Sequence, residues 1–373
     1  AEYFRTIGQR CADEETGMIG PSPLSHLLAR AFQECSRTEQ LMPAMRTSVV
    51  SLIYKDKGLR NDLSKYRPIA VSSILYRIMA KAMVIAMRPV LPTVTSSSQK
   101  AFKPDEIIAD STRLVQDTIH YCEHTNTPGF LLFADQDNAY PRVRWDYLLG
   151  DEHGNQGMMN AMNFPPDFIN MVRTMYKDCR LRFKVNGTID DYSVRPSNGL
   201  AQGCPLSPCL YLLCIQGLIS LMNQDAMQPD GMKGITVPDD MGEVDSPHLL
   251  IASAFADDIC VFLRDASQLT RFKSLLTTYC DGAGAVNSWE KTIGLHLGTT
   301  DDDTSRTPLP PGWTEGQDIT CEASIKCGQA TIKGVVRYLG IFLGASEGVS
   351  RMWVNRTTER IKSKANQWRE RRM

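Results

Sequence analysis

Short apolar runs that end in acidic residues form the clearest hydrophobic pattern along the chain. The runs 249–253 and 259–263 flank a tight turn that contains Asp257 and Asp258. Two short apolar segments around such a turn predict a β-hairpin. A third apolar run leads directly into Asp135. An acid at the end of a buried strand lies beside the hairpin tip if the two strands pair, so the pattern groups three carboxylates.

These carboxylates are candidate ligands for a divalent metal. Adjacent carboxylates such as Asp257 and Asp258 repel each other, which favours a positive partner. Carboxylate oxygens are the hard ligands that Mg²⁺ prefers. With Asp135 added, the set could hold two ions about 3.5–4 Å apart, the arrangement used for in-line phosphoryl or nucleotidyl transfer. A pair of solvated turn acids is the ordinary alternative, and the apolar runs on both sides argue against it.

The rest of the hydrophobic pattern mixes helical and extended segments. A strand is expected over 49–54, and Asn186-Gly187 predicts a hairpin between 181–185 and 192–194. Residues 299–316 are acidic and then proline-rich, which predicts a surface loop. Helices combined with antiparallel hairpins indicate an α+β fold. Apolar residues at helical spacing predict helices over 24–35, 75–90, 111–121, 167–176, 206–222 and 267–280.

Composition places the chain among ordinary globular proteins. Its 373 residues suffice for several subdomains, and 42% are apolar and 22% charged. No run of 18 apolar residues indicates a membrane span. The N-terminus does not resemble a signal peptide and lacks a starting methionine, so we expect a piece of a longer protein. The eleven cysteines include no Cys-x-x-Cys pair, and we expect reduced, buried thiols in an intracellular protein.

The charge is nearly balanced, but it is unevenly distributed. A net charge of −1 argues mildly against a nucleic-acid partner. Residues 351–373, however, hold eight Lys and Arg against two Glu, together with Trp353 and Trp368. This segment predicts a helix that follows a nucleic-acid backbone. A solvated amphipathic helix is the alternative.

Six segments of the chain resemble, in the family's order, the motifs of a reverse transcriptase of the non-LTR (LINE-type) retrotransposon family. The resemblance covers about residues 45 to 345. Each motif alone is a modest signal, whereas the ordered set is highly specific. The segments are 65–69 (Lys-Tyr-Arg-Pro-Ile), 98–102 (Ser-Gln-Lys-Ala-Phe), 135–140 (Asp-Gln-Asp-Asn-Ala-Tyr), 198–208 (Asn-Gly-Leu-Ala-Gln-Gly-Cys-Pro-Leu-Ser-Pro), 254–258 (Ala-Phe-Ala-Asp-Asp) and 337–341 (Arg-Tyr-Leu-Gly-Ile).

The resemblance implies a right-hand polymerase with fingers over 1–125, a palm over 126–345 and the start of a short basic thumb over 346–373. The implied activity is RNA-directed DNA synthesis from dNTP on an RNA template and a DNA primer. Two Mg²⁺ ions, or Mn²⁺, would be held by the three aspartates. Endonuclease and nucleic-acid-binding domains would lie outside this chain. No membrane partner is expected, and the nucleus and cytoplasm are the expected locations.

The resemblance also assigns roles to individual residues near the three aspartates. Tyr140, beside Ala139, would stack under the sugar and exclude a 2′-hydroxyl; a core tyrosine is the alternative. Pro141 stands where the family usually has an aspartate. Lys291 matches a late lysine that would protonate the leaving pyrophosphate.

Further substrate and primer contacts are implied by the other motifs. Gln202 and Gly203 would border the incoming nucleotide and the template. Arg67 and Lys55 would contact the triphosphate, although Lys57 is placed as well as Lys55. The late hairpin would grip the primer end through Tyr338, Leu339 and Gly340.

Two rival functions stay open at this stage. An RNA-dependent RNA polymerase shares the same palm, but Tyr140 and the Phe-Ala-Asp-Asp form favour reverse transcription. A decayed or domesticated palm that only binds RNA is the second rival. The intact set of Asp135, Asp257 and Asp258 argues against decay. Pro141, the short thumb and the near-neutral charge argue for it.

Overall fold

A computed structural model describes residues 23–56, 58–238, 248–298, 325–327, 330–332 and 335–344, with positions 358 and 362. Helices and antiparallel strands are mixed along the chain, so the predicted α+β class is confirmed. The helices are α1 (Pro23–Thr38), α2 (Ile74–Met87), α3 (Leu91–Val94), α4 (Ile108–Thr125), α5 (Ala139–Arg142), α6 (Trp145–Leu149), α7 (Met158–Ala161), α8 (Pro166–Lys177), α9 (Ser207–Ala226) and α10 (Leu269–Ala283). The strands are β1 (Thr47–Tyr54), β2 (Tyr66–Ser72), β3 (Gly129–Ala134), β4 (Arg180–Val185), β5 (Thr188–Ile189), β6 (Ile235–Val237), β7 (His248–Leu250), β8 (Ala252–Phe255), β9 (Asp258–Leu263), β10 (Ile293–Leu297), β11 (Ile325–Cys327), β12 (Ala330–Ile332), β13 (Val335–Tyr338) and β14 (Ile341–Gly344).

The described chain divides into two compact units. The first unit comprises 23–87 and 145–207, and the second comprises 88–144 and the described part of 208–373. The division into fingers, palm and thumb stays a prediction. The expected loop over 299–316 lies outside the described residues, and so does the expected thumb segment apart from positions 358 and 362.

The first unit is organised around a four-stranded sheet with the order β2-β1-β4-β5. Strand β1 is antiparallel to β2 but parallel to β4. Strands β4 and β5 form the hairpin expected at Asn186-Gly187, where both turn residues have positive φ, +49° and +87°. The returning strand is Thr188–Ile189. The prediction that it would lie at 192–194 is therefore wrong. Val194 still forms an isolated bridge to Leu181.

The second unit contains a six-stranded sheet with the order β11-β12-β10-β3-β9-β8. Strand β3 lies in its interior and is buried at every position. Its sequence Gly-Phe-Leu-Leu-Phe-Ala is apolar on both faces, which suits a strand covered on both sides. Helix α4 contributes Val115 and Ile119 to one buried cluster with Leu131 and Phe262. Helix α9 is almost fully buried from Leu210 to Ile215, so it is a core helix.

The expected pairing between the first aspartate strand and the acidic hairpin is confirmed. Strand β3 runs antiparallel to β9, with Ala134 opposite Ile259, and β9 pairs with β8. The apolar run 249–253, predicted as one strand, is in fact divided between β7 and β8. The chain changes partner at Ile251, whose carbonyl accepts a hydrogen bond from the Phe262 amide while the preceding residues pair with β6.

Two expectations drawn from composition, on the cysteines and on membrane spans, can be compared with the structure. Eight cysteines are described with their side chains as free thiols, and seven of them are buried, which matches the expected burial for this part of the chain. Within the described residues, no helix has both the length and the apolar character required to cross a membrane.

Gly203 is required by a close backbone contact within the first unit. The Gln202 carbonyl accepts a hydrogen bond from the Ala70 amide at 2.7 Å. Gly203 follows with φ of +111°, and a Cβ at this position would lie 2.5 Å from the Ala70 carbonyl oxygen. The loop before α9 therefore docks on β2 only because residue 203 has no side chain.

Gly203→Ala should destabilise the first unit more than Gly187→Ala does. Both substitutions place an alanine at positive φ, which costs roughly 1 kcal/mol. Only Gly203→Ala adds an overlap with backbone, worth roughly 1–3 kcal/mol more, because nothing lies within 4 Å of the Cβ position at Gly187. Urea denaturation of both variants would measure the difference. Equal losses of unfolding free energy would contradict the close contact.

Candidate active site

The three candidate aspartates lie at one edge of the six-stranded sheet. Phe255 pairs with Asp258, so Ala256 and Asp257 form the two-residue turn of the β8–β9 hairpin. The last residue of β3, Ala134, is paired with Ile259, the residue after Asp258. Asp135 follows Ala134 directly. The structure therefore brings Asp135, Asp257 and Asp258 together, as the sequence predicted.

Desolvation, together with the charge of neighbouring carboxylates, raises the pKa values of Asp257 and Asp258. The side chains of Asp257 and Asp258 are accessible to solvent, but the surrounding protein partly desolvates them. This desolvation raises the pKa of Asp257, and the charge of Asp135 raises it further. Desolvation, with the charges of Asp257 and Asp135, raises the pKa of Asp258 to about 6. The edge of the sheet is therefore a place where a cation would relieve unfavourable charge.

Lys291 supplies one positive charge at this edge. Its Nζ lies 3.2 Å from Oδ1 of Asp135. The side chains of Lys291 and Asp135 are 56% and 42% exposed, so the ion pair contributes little to stability by itself. The loop that carries Lys291 is held to the strand end, because the Ser288 amide donates to the Asp135 carbonyl at 2.7 Å. Lys291 is thus placed beside Asp135, and its role in protonating pyrophosphate stays a prediction.

The carboxylates fit a divalent ion by their chemistry. Among the described residues, no three His, Cys, Asp or Glu side chains converge closely enough to hold a metal ion in this conformation. The three aspartates nevertheless offer hard oxygen ligands and mutual repulsion that a cation would relieve. Asp135, Asp257 and Asp258 would be the ligands of such an ion.

Tyr140 lies on the short helix α5 directly after the first aspartate motif. Asn138 precedes this helix in a left-handed conformation with φ of +50°, and the first residue, Ala139, is buried. Pro141 is the third residue of the helix. Amides in a first helical turn have no intrahelical acceptor, so proline removes no hydrogen bond there. The departure from the family pattern at Pro141 is therefore accommodated by local structure.

The Tyr140 ring is supported by a residue that the sequence reasoning missed. It stacks on the ring of Tyr211 in α9, with the centroids 4.8 Å apart and the planes at 14°. The Tyr211 hydroxyl donates to Oε1 of Gln136 at 2.8 Å. Burial raises the pKa of Tyr140, and the negative charge of Asp257 raises it further. The phenol therefore lies within electrostatic reach of the turn formed by Ala256 and Asp257, called the catalytic turn below.

The signal for Tyr211 was present but weak. A phenol within the apolar run 206–222 needs a hydrogen-bond partner when it is buried. The position of that partner, beside Asp135, could not be read from the run itself.

Four other predicted substrate residues belong to the first unit. Arg67 is exposed on β2 opposite Ile53. The Lys55 ammonium donates to the Ser64 carbonyl at 3.1 Å, inside the β1–β2 connection. Gln202 and Gly203 form the loop that docks on β2. Their contacts with a nucleotide stay predictions, and Lys57 lies outside the described residues.

The late hairpin has a buried side and an exposed turn. Tyr338 is 4% exposed, and its ring packs against Phe133 with the centroids 5.1 Å apart. Its hydroxyl donates to the Ser253 carbonyl at 3.4 Å, so the side chain supports the six-stranded sheet. Leu339 and Gly340 form the turn between β13 and β14. Gly340 in this turn and Arg337 on β13 are exposed, and primer binding by the hairpin stays a prediction.

Known proteins resemble this chain along most of its length. The family model described as reverse transcriptase (RNA-dependent DNA polymerase) matches residues 54–343, which is more than half of the chain. The "Transposon TX1 uncharacterized 149 kDa protein" of Xenopus laevis is 28% identical over 318 residues, 85% of this chain and 21% of that protein. The "Retrovirus-related Pol polyprotein from type-2 retrotransposable element R2DM" of Drosophila melanogaster is 24% identical over 203 residues, 53% of this chain and 16% of that protein.

The chain thus spans about a fifth or less of the length of these relatives. Among solved structures, an apo telomerase from Candida tropicalis is 12% identical, with a TM-score of 0.47 over 87% of this chain and 63% of that one. The family match and the retrotransposon relatives confirm the resemblance drawn from the six motifs. This chain belongs to the reverse transcriptase family, as a right-hand polymerase core of the kind found in non-LTR retrotransposons.

Proposed function

We propose that this chain is an RNA-directed DNA polymerase that adds dNTP to a DNA primer on an RNA template. The observation that carries the proposal is the convergence of Asp135, Asp257 and Asp258 at one sheet edge. Desolvation and the neighbouring charges raise the pKa values of Asp257 and Asp258, which supports a cation-binding role for that edge. Family membership supports the choice of reaction.

The proposed mechanism assigns a role to each charged residue at the edge. Asp135, Asp257 and Asp258 would hold two Mg²⁺ ions, which when bound supply the charge that activates the primer 3′-hydroxyl and neutralises the pyrophosphate. Lys291, already beside Asp135, would deliver a proton to the departing pyrophosphate. Its 3.2 Å contact with Asp135 keeps the ammonium at the reacting edge before substrate binds.

Sugar selection is assigned to Tyr140 together with the residues behind it. The ring of Tyr140 rests on Tyr211, and Tyr211 is fixed by Gln136. A ring supported in this way cannot retreat when a nucleotide carries an extra 2′-hydroxyl. Selectivity for dNTP would therefore depend on the stack as well as on Tyr140.

Asp257→Asn should reduce primer extension on poly(rA)/oligo(dT) with dTTP by at least about 100-fold, since one catalytic group contributes about that much. The fold should persist, because the change removes charge and almost no volume. Asp137→Asn is the matched control, as Asp137 lies two residues past Asp135 and pairs with Arg142 at 3.1 Å. Equal activity of the two variants would contradict the assignment.

The same assay separates the two rival functions. UTP incorporation by the unmodified chain would indicate the RNA-dependent RNA polymerase. Template binding without synthesis by the unmodified chain would indicate the domesticated palm.

Metal binding should show in stability without any turnover. In EDTA, Asp258 has a raised pKa in the folded state, so its stabilising effect is present at low pH and lost as the pH rises through about 6. The melting temperature of Asp258→Asn should therefore rise relative to that of the unmodified chain as the pH increases from 3.8 to about 6. Adding Mg²⁺ should raise the melting temperature of the unmodified chain and reduce this difference. A pH-independent difference in EDTA would argue against a raised pKa at Asp258.

Tyr140→Val should shift NTP incorporation relative to dNTP by at least about tenfold, equivalent to about 1.4 kcal/mol of transition-state discrimination. Tyr211→Leu should produce a smaller shift in the same direction, since it removes the ring behind Tyr140. Tyr211→Phe keeps the stack and loses only the bond to Gln136, so it serves as the matched control. The ratio of kcat/KM for dTTP and UTP measures each effect. Unchanged ratios in the Val and Leu variants would make Tyr140 a core residue.

A further inference from the structure

Residues 98–101 form an extra edge beside the catalytic hairpin. The Ala254 amide donates to the Ser98 carbonyl at 2.8 Å, and the Lys100 amide donates to the Ala254 carbonyl at 2.9 Å. The segment therefore runs parallel to β8, with Gln99 opposite Ala254. β8 is the last strand of the six-stranded sheet and pairs with β9 along one edge only. The segment 98–101 lies along its other edge.

The side chain of Gln99 reaches from this segment to the catalytic turn. Gln99 is fully buried, with 0% exposure. Its Oε1 accepts hydrogen bonds from the amides of Ala101 and Ala256, both at 3.0 Å. Its Nε2 donates to the Ala256 carbonyl at 3.4 Å. One carboxamide thus binds both backbone polar groups of the residue that precedes Asp257.

Ala256 has a backbone conformation that alanine rarely adopts. Its φ is +58°, whereas Asp257 has no positive φ. A positive φ at only the first residue of a two-residue hairpin turn is the pattern of type II′, where glycine is the usual residue. A Cβ makes this conformation unfavourable, so it persists only when neighbouring groups hold it.

We propose that Gln99 is a positioning residue that holds Ala256 in this turn and thereby aims the Asp257 carboxylate. The inference rests on the proposed polymerase function, because the turn matters to catalysis only if Asp257 acts there. The carboxamide suits the task since it is neutral and offers both an acceptor for the Ala256 amide and a donor for its carbonyl. A glutamate or a methionine at position 99 could not do both.

Gln99→Met is the direct test, because it keeps the length of the side chain and removes its hydrogen bonds. We expect kcat for dTTP addition to fall about 10- to 100-fold, as for a displaced catalytic group, with little change in KM. Gln216→Met is the matched control. Gln216 is also buried in the second unit, accepts from the Ser96 amide at 2.8 Å and donates to the Ser220 hydroxyl at 3.0 Å. It should lose stability but keep kcat.

Ala256→Gly supplies the rescue that a merely structural glutamine would not allow. Glycine adopts positive φ without a clamp, so Gln99→Met/Ala256→Gly should recover several-fold of the kcat lost in Gln99→Met. Ala256→Gly alone supplies the reference, since any kcat lost in this variant is the cost of the glycine itself. If Gln99→Met does not fold, Gln99→Asn, which lengthens the same bonds, takes its place in the cycle. Additive losses without rescue would overturn the positioning role.

Hydrogen exchange separates this inference from the proposed function. The Ala256 amide should exchange slowly in the unmodified chain and in Gln216→Met, but much faster in Gln99→Met. Fast exchange in Gln99→Met, with no primer extension by the unmodified chain, would support the role of Gln99 in holding Ala256 and contradict the polymerase assignment. Unchanged exchange in Gln99→Met would contradict that role of Gln99, whatever the activity.

Discussion

The antiparallel pairing of β3 with β9 is the interaction on which the candidate site depends. It sets Ala134 opposite Ile259, and so places Asp135 next to the acidic turn. The carboxylates gain nothing from this proximity, since the charge of Asp135 adds to the desolvation that raises the pKa values of Asp257 and Asp258. The apolar side chains of β3 and β9, buried along their length, stabilise a register that electrostatics alone would oppose.

Around that pairing, the residues that contact the site are each supported by a second residue. Tyr140 is supported by Tyr211, and the catalytic turn is held by Gln99. Lys291 is carried by a loop bonded to the Asp135 carbonyl. In each case the supporting group is more buried than the group it supports. Precision at the solvent-accessible edge therefore comes from the packed interior of the second unit.

Local patterns in the sequence were enough to predict the three aspartates, the hairpin at Asn186-Gly187 and most helices. These features depend on the period of apolar residues and on turn chemistry, which neighbouring residues determine. The sequence could not predict the parallel pairing of β1 with β4, because its partners lie more than a hundred residues apart. It read 249–253 as a single strand, because the change of partner at Ile251 leaves no mark on an apolar run. Nothing in the sequence indicated the close contact between Gly203 and the Ala70 carbonyl, while the assignment of Gly203 to a nucleotide stays a prediction.

The bond between Gln99 and Ala256 joins residues 157 positions apart, and the pair of Lys291 with Asp135 spans 156. Closing loops of this length costs entropy that is recovered only when the intervening strands have packed. The turn that carries Asp257 therefore cannot be held in place before these distant segments have packed. During synthesis, a nascent chain that has emerged only as far as β7 already contains β3 and Asp135, but not β9, the strand that pairs with β3 beside the acidic turn. The acidic edge therefore cannot form before β8 and β9 have been synthesised.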